Sequence, residues 1–203
     1  GMPEDLSRQF PNASVDVAEI DPNVIKVGHD YFKLGEYPRV KAHAADARHF
    51  LRTQKDQRWD LVFGDAYNGV RAIPSHLVTK EFFQLVADRL TPNGVFIMNT
   101  ITAIQGERSE LLGGILTTVR SVFPHVEVFD VTSLDNKQAQ NVIPLASRQD
   151  WRPFIQERFH PEGSVQKRLA ASHVSPMSLP QKGVLITDDF NPVDAIIARG
   201  LLQ

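Results

Sequence analysis

The pattern that most constrains the fold is an apolar run that ends in a carboxylate and is followed by a helical segment or a long loop. It occurs three times, at residues 15–20 with Glu19, residues 39–45 with Asp46 and residues 59–64 with Asp65. The apolar content of residues 15–20 and 59–64 predicts buried strands, and residues 39–45 are predicted to form a further strand. Because helical spacing lies between them, the pattern predicts parallel strands joined by crossovers rather than hairpins.

Helical periodicity fills the segments between and after these strands. Residues 23–34 carry an apolar stripe at helical spacing, with Asp21 as the expected cap and Gly35 as the expected stop. The remaining expected elements are helices at 4–10, 47–52, 79–90, 107–123, 150–159, 164–171 and 193–202, strands at 94–100, 126–131, 141–146 and 184–186, and a turn at 91–94. The strands at 126–131 and 141–146 are expected to form an antiparallel pair at one sheet edge.

Strands that alternate with helices in this way imply right-handed crossovers and a mainly parallel sheet with helices on both faces. An antiparallel pair that closes such a sheet is typical of the Rossmann-like, class I S-adenosylmethionine-dependent methyltransferase-like fold. We therefore expect an α/β fold of this class with antiparallel edge strands. We also expect one domain over residues 1–203, with a core at 12–147 and a helical appendage at 148–203.

Composition excludes several classes of protein. The 22 Lys and Arg residues against 24 Asp and Glu give a formal net charge of -2, which argues against a nucleic-acid partner. The absence of cysteine excludes disulfides and thiolate metal sites. No apolar run reaches the roughly 18 residues typical of a membrane span, so we expect a cytoplasmic protein with no membrane partner. His43 and His49 flank Asp46, but no third ligand is spaced to join them, and we expect no metal.

The three strand-end acids indicate what the fold binds. In a parallel sheet the carboxyl ends face one way, so Glu19, Asp46 and Asp65 are expected to line one crevice. Carboxylates there can accept hydrogen bonds from ribose hydroxyls and from the exocyclic amine of adenine, and Asp65 can orient an amine or take its proton. An alternative stays open for each acid, namely a solvated side chain for Glu19, a helix cap for Asp46 and the start of a turn for Asp65.

The ordered set of segments resembles the polyamine aminopropyltransferases, that is, the spermidine and spermine synthases. Residues 17–22 (VAEIDP) are similar to the family's VEIDP segment, residues 45–51 (ADARHFL) to GDGxxFL, and residues 59–65 (WDLVFGD) to YDvIixD. The resemblance implies that Asp65 is catalytic and that the ligand is decarboxylated S-adenosylmethionine. The residues it assigns to that ligand are Glu19 at the ribose and Asp46 at the adenine, and Ile20 and Ala47 also belong to the ligand-binding set. Tyr67 and Asn68 would contact a small amine substrate, and a homodimer is expected.

Two departures from the family pattern bear on these expectations. The family's first strand and Gly-rich loop precede the segment with which this chain opens, and the first glycine after Gly1 is Gly28. The family's D-S-S-D-P loop corresponds here to residues 65–69 (DAYNG), so Asn68 replaces the second acid. A neutral amide holds a diamine less well than a carboxylate does. We expect an N-terminally truncated, divergent bacterial member that lacks the first strand and the Gly-rich loop.

Three functions remain open at this point. The first is aminopropyl transfer from decarboxylated S-adenosylmethionine to an amine, with methylthioadenosine as the product. The second is methyl transfer from S-adenosylmethionine itself. The third is a non-catalytic remnant that binds a partner chain or a second copy along the strand edge that a missing first strand would leave open.

Overall fold

The computed structural model describes residues 1–67, 73–131, 135–153 and 171–201. The chain divides into two compact units, Gly1–Asp56 and Gln57–Gln203. The single domain over residues 1–203 stays a prediction.

The first unit is built around two parallel strands, β1 and β2. Its elements in chain order are α1 (Met2–Gln9), β1 (Val15–Glu19), α2 (Pro22–Phe32), a 3-10 turn (Leu34–Glu36), β2 (Val40–Ala44) and α3 (Ala47–Thr53). The register of the strand pair runs from Val15 opposite Val40 to Glu19 opposite Ala44. Since parallel neighbours need a long crossover, α2 is the segment that brings β2 alongside β1.

The two ends of α2 are formed differently from one another. At the start, the Asp21 carboxylate accepts a hydrogen bond from the Asn23 amide at 2.8 Å, and Pro22 follows in the first turn. At the end, Lys33 adopts a left-handed conformation with φ 60, and its amide donates to the Gly28 carbonyl. The expected stop at Gly35 is therefore wrong by two residues, since Lys33 takes the left-handed position that glycine usually supplies.

The second unit holds a five-stranded sheet with the order β3-β4-β7-β5, in which β6 also pairs with β7. Its elements in chain order are β3 (Trp59–Gly64), a 3-10 turn (Ser75–Leu77), α4 (Lys80–Arg89), β4 (Leu90–Met98), β5 (Thr100–Thr102), a 3-10 turn (Glu107–Ser109), α5 (Glu110–Arg120), β6 (His125–Asp130), β7 (Gln140–Ser147), a 3-10 turn (Pro176–Ser178) and α6 (Val193–Leu201). β3 and β4 are parallel, and β7 runs antiparallel to β4, β5 and β6. The predicted antiparallel pair of β6 and β7 is confirmed.

Two short predicted elements of this unit are wrong. Residues 91–94 do not form a turn between α4 and β4; they bulge from β4, because Trp59 pairs with Leu90 while Leu61 pairs with Val95. Residues 184–186 do not form a strand. The Ile186 amide donates to the Thr118 hydroxyl at 2.9 Å, and the Ile186 carbonyl accepts from the Lys80 amide at 2.8 Å, so both groups are satisfied by helices rather than by a strand.

The core of the second unit lies between α5 and the antiparallel half of the sheet. Its buried cluster shares one trait, an aliphatic side chain less than a tenth exposed, and consists of Ile104, Leu112, Leu116, Val128, Val142, Val174 and Leu179. A second group is aromatic, with Phe96 5.8 Å from Phe83 and 6.2 Å from Phe123 between ring centroids. In the part of the chain that the structure describes, no helix is long and apolar enough to cross a membrane.

Candidate active site

Two of the predicted acids, Glu19 and Asp46, lie at the carboxyl edge of the β1–β2 pair. Glu19 is the last residue of β1, opposite Ala44, and its carbonyl accepts from the Ala45 amide at 3.0 Å. Asp46 follows β2 after one intervening residue, Ala45, and is the N-cap of α3. The crossover through α2 therefore places both carboxylates at the same ends of adjacent parallel strands, as the sequence predicts.

The Glu19 side chain is held by the turn that follows its own strand. Its Oε1 accepts a hydrogen bond from the Asp21 amide at 2.9 Å, two residues along the chain. The side chain is partly buried, whereas the next residue, Ile20, is 71% exposed. A carboxylate fixed in this way loses little further side-chain entropy when it binds hydroxyl groups.

Asp46 acts as the cap of α3. Its carboxylate accepts from the His49 amide at 2.8 Å, and Ala47 is the first residue of the helix. The helix N-terminus also carries partial positive charge, which stabilises the ionised carboxylate. The capping role that the sequence leaves open is thus present, and it is compatible with ligand binding because a carboxylate accepts several hydrogen bonds.

The second unit places Asp65 immediately after β3, where it meets Asn99 between β4 and β5. The Asn99 side-chain amide donates to Asp65 Oδ1 at 2.8 Å, and the Asn99 backbone amide donates to the Gly64 carbonyl at 2.8 Å. The Tyr67 hydroxyl donates to the Asn99 carbonyl at 2.9 Å. Asp65, Tyr67 and Asn99 therefore form one hydrogen-bonded group, in which the Asp65 side chain remains exposed.

Tyr67 is held in its neutral form. Burial of the phenol, with a smaller contribution from the neighbouring negative charge of Asp65, raises the pKa of Tyr67 to about 12. The hydroxyl is therefore a hydrogen-bond donor at every pH at which the protein would work.

Asn99 is the residue that sequence reasoning missed. It stands at the end of an apolar strand, and the one available signal was its position at that strand end, the same signal that identified Glu19 and Asp65. Asn68, by contrast, lies outside the described residues. The shared crevice for Glu19, Asp46 and Asp65 stays a prediction, because these acids belong to two separately described units.

The weak metal candidate His43 has another role. Its ring nitrogen lies 2.8 Å from Asp16 Oδ1, and its ring centroid lies 4.6 Å from that of Phe50. Among the residues with described coordinates, no group of three or more His, Asp or Glu is arranged to hold a metal ion. The expectation that the protein uses no metal stays a prediction.

Parallel strands joined by helices, antiparallel closing strands and acids at strand ends define a Rossmann-like protein of the class I methyltransferase-like kind. A solved structure supports this fold. The probable spermidine synthase of Corynebacterium glutamicum superimposes with a TM-score of 0.65 at 21% identity, over 98% of this chain and 65% of that one. The predicted fold class is confirmed.

Sequence comparison places the chain more narrowly. Residues 8–139 match the model of the spermine/spermidine synthase domain. The chain is 28% identical over 214 residues to the polyamine aminopropyltransferase of Vibrio vulnificus, which covers 96% of this chain and 66% of that protein. It is also 28% identical over 133 residues to the human eEF1A lysine and N-terminal methyltransferase, which covers 61% of this chain and 18% of that protein. The chain belongs to the spermine/spermidine synthase family, and it spans just under two thirds of its Vibrio relative.

Proposed function

We propose that the protein transfers an aminopropyl group from decarboxylated S-adenosylmethionine to a small amine. The observation that carries the proposal is that acids occupy the strand ends in the order of the family's segments, with Glu19 and Asp46 at one edge and Asp65 after β3. The match to the spermine/spermidine synthase domain supports it. A chain without cysteine and with a net charge of -2 also suits a cytoplasmic protein that binds a cationic substrate.

The adenosyl part of the ligand would lie against the first unit. Glu19, fixed through Oε1 by the Asp21 amide, would accept hydrogen bonds from the ribose hydroxyls. Asp46 would accept from the adenine amine next to Ala47, and the exposed side chain of Ile20 would cover part of the ring. Each hydrogen bond to a carboxylate contributes about 1.5–3 kcal/mol.

The chemical step would be a displacement at carbon. The nitrogen of the amine attacks the aminopropyl carbon bonded to the sulfonium sulfur, a new C–N bond forms, and the C–S bond breaks. Its electron pair returns to sulfur, which leaves as neutral methylthioadenosine, and the proton that the nitrogen must lose passes to the Asp65 carboxylate. Tyr67, held neutral, and Asn68 would contact the amine.

The test is amine-dependent release of methylthioadenosine. With decarboxylated S-adenosylmethionine and putrescine or another small amine, we expect the wild type to form the product and Asp65→Asn to lose at least 100-fold in rate, within the range for general base catalysis. Asp60→Asn is the matched control. Asp60 lies on the same strand and accepts from the Thr91 hydroxyl at 2.9 Å, and the oxygen of an asparagine amide can still accept that hydrogen bond. Retained turnover in Asp65→Asn would remove this residue from the mechanism.

Methyl transfer is the second candidate, and the similarity to the human methyltransferase supports it. The same assay distinguishes the two reactions by their products. Aminopropyl transfer releases methylthioadenosine only from the decarboxylated ligand, whereas methyl transfer releases S-adenosylhomocysteine from S-adenosylmethionine. A protein that binds an adenosyl ligand and forms neither product would be the non-catalytic binding remnant that is the third possibility.

A further inference from the structure

Asn99 connects three groups at the carboxyl end of β3 and β4. Its backbone amide donates to the Gly64 carbonyl at 2.8 Å, and its side-chain amide donates to Asp65 Oδ1 at 2.8 Å. Its backbone carbonyl accepts from the Tyr67 hydroxyl at 2.9 Å. All three contacts lie within the second unit. The Gly64 contact continues the parallel ladder in which Gly64 pairs with Met98, so the side chain of Asn99 is anchored to a rigid strand pair.

The orientation of the Asn99 amide is fixed by chemistry. An ionised carboxylate only accepts hydrogen bonds, so the NH₂ end of the amide must face Asp65. This orientation leaves the carbonyl oxygen, Asn99 Oδ1, buried and with no hydrogen-bond partner among the residues that have described coordinates. Buried acceptors without partners are rare in proteins. The Asn99 amide therefore makes its hydrogen bond to Asp65 while its own carbonyl oxygen makes none within the described residues.

Asp65 has a corresponding asymmetry. Oδ1 accepts from Asn99, whereas within residues 1–67, 73–131, 135–153 and 171–201 no hydrogen bond reaches Oδ2. The carboxylate is thus held by one oxygen and presents the other from an exposed side chain. A proton acceptor needs this combination of fixed geometry and an open lone pair.

We infer that Asn99 is a positioning residue for Asp65, which holds Oδ1 so that Oδ2 is the oxygen that takes the proton of the attacking amine. The role in proton transfer rests on the proposed aminopropyl transfer, whereas the hydrogen bond itself does not. Tyr67 belongs to the same hydrogen-bonded group. Its hydroxyl donates to the Asn99 carbonyl and so limits rotation of the backbone there.

Two substitutions of Asn99 separate this role from simple space filling. Asn99→Asp keeps the shape of the side chain but removes both N–H donors and adds a like charge next to Asp65. Asn99→Ala removes the donor without adding a charge. If Asn99 only fills space, Asn99→Asp is the milder change. If it positions Asp65, Asn99→Asp is the more damaging, since like charges at hydrogen-bond distance repel.

The kinetic experiment measures kcat and KM for the amine in both variants. We expect Asn99→Ala to lower kcat by about 10- to 100-fold and to change KM less than about threefold, as for other groups that orient a catalytic side chain. We expect Asn99→Asp to lower kcat further than Asn99→Ala does. Asn93→Asp, an exposed position on the same strand, is the matched control for the added charge and is expected to leave kcat unchanged. Equal kcat in wild type and Asn99→Ala, or a milder effect of Asn99→Asp, would overturn the inference.

A second readout does not depend on activity. In protein labelled with ¹⁵N, the side-chain NH₂ hydrogens of Asn99 are expected to exchange slowly with solvent, and Asp65→Ala is expected to accelerate their exchange while backbone amides of β4 stay protected. Unchanged exchange in Asp65→Ala would overturn the contact. If the exchange result is as expected but the wild type forms no methylthioadenosine, the proposed function fails while the geometric inference stands.

Discussion

At the scale of single residues, Tyr67 links the chemistry of the site to the stability of the second unit. Its hydroxyl donates to the Asn99 carbonyl, and burial raises the pKa of Tyr67 to about 12 from an ordinary value of 10.0. In the unfolded chain the phenol ionises near its ordinary pKa. The folded state is therefore favoured by the neutral phenol below pH 10, and this advantage disappears as the pH rises from 10 towards 12.

Tyr67→Phe tests this linkage. At pH 8 to 9 we expect the variant to be about 1 kcal/mol less stable than wild type, because a buried hydrogen bond is lost. Between pH 10 and 12 the wild type should lose stability faster than the variant, since only its unfolded state then gives up this proton. Urea unfolding at pH 9 and pH 11 measures the difference. A difference in unfolding free energy that is the same at both pH values would contradict the assignment.

The residue scale also shows which contacts a sequence can predict. Glu19 is held by an amide two residues away, and that contact follows from a strand that ends in a tight turn. Asp65 is held by Asn99, which is 34 residues away. The partner of Asp65 depends on which strand becomes its neighbour and on the register of that pairing. Local pattern therefore identified the acid, but not the residue that orients it.

At the scale of elements, the glycine at position 113, inside α5, is explained by a close approach of another segment. Glycine in a helix interior costs about 1 kcal/mol relative to alanine. A Cβ on Gly113 would lie 2.8 Å from the Lys182 carbonyl oxygen, and one on Gly183 would lie 2.0 Å from the Gly113 carbonyl oxygen. The segment around Lys182 therefore crosses α5 backbone to backbone, and any side chain at these positions would push it away.

Gly113→Ala tests this packing. We expect a loss of about 1–3 kcal/mol in unfolding free energy, because overpacking against a backbone oxygen outweighs the gain in helix propensity. Gly200→Ala is the matched control, since Gly200 also lies in a helix and a Cβ there meets nothing within 4 Å. That variant is expected to gain about 0.4–1 kcal/mol. Denaturant unfolding of both variants is the measurement, and a stabilised Gly113→Ala would contradict the close approach.

Element positions follow from the sequence where they depend on local pattern. Asp21 caps α2 as predicted and accepts from the Asn23 amide, and Thr79 caps α4 near the start of the helix expected at 79–90 and accepts from the Phe82 amide. The errors at 91–94 and 184–186 have a common cause. Both segments are shaped by partners that are distant in sequence, namely Trp59 for residues 91–94 and Thr118 for residues 184–186. Periodicity carries no information about such partners.

At the scale of the whole molecule, β1 and β3 are among the strands that pair on one side only within the described residues. β1 pairs with β2, and β3 pairs with β4, in the portion of the chain that has described coordinates. The apolar stripe of α2 is also exposed, with Val24 at 54% and Tyr31 at 77%. Open strand edges and exposed apolar side chains favour association with another chain.

We therefore predict that this chain forms a homodimer in solution. Sedimentation velocity at micromolar concentration is the measurement, and the expected result is a species of twice the mass of the 22.8 kDa chain. Tyr31→Ser, which reduces the exposed apolar stripe without touching a strand, is expected to weaken the dimer. A single monomeric species up to about 100 μM would contradict the prediction.

At this scale, the fold class can be predicted from the order of the elements, whereas the shared crevice depends on their arrangement in space. The alternation of strands and helices was sufficient for the fold class, because few topologies satisfy it. A crevice shared by all three acids depends instead on the arrangement of β1, β2 and β3 around one ligand, which no local pattern specifies. Glu19 and Asp46 meet at one strand edge through their own register, and this half of the predicted site has a direct test.

The most direct measurement of the central claim, that strand-end acids hold an adenosyl ligand, is calorimetric titration with methylthioadenosine. We predict binding to the wild type and a Kd at least 10-fold weaker for Glu19→Gln, because the ribose hydroxyls lose a charged acceptor. Glu36→Gln, which removes an exposed charge paired with Lys33 in the same unit, should bind like the wild type. Equal affinity for Glu19→Gln and the wild type, or no binding to either, would contradict the account.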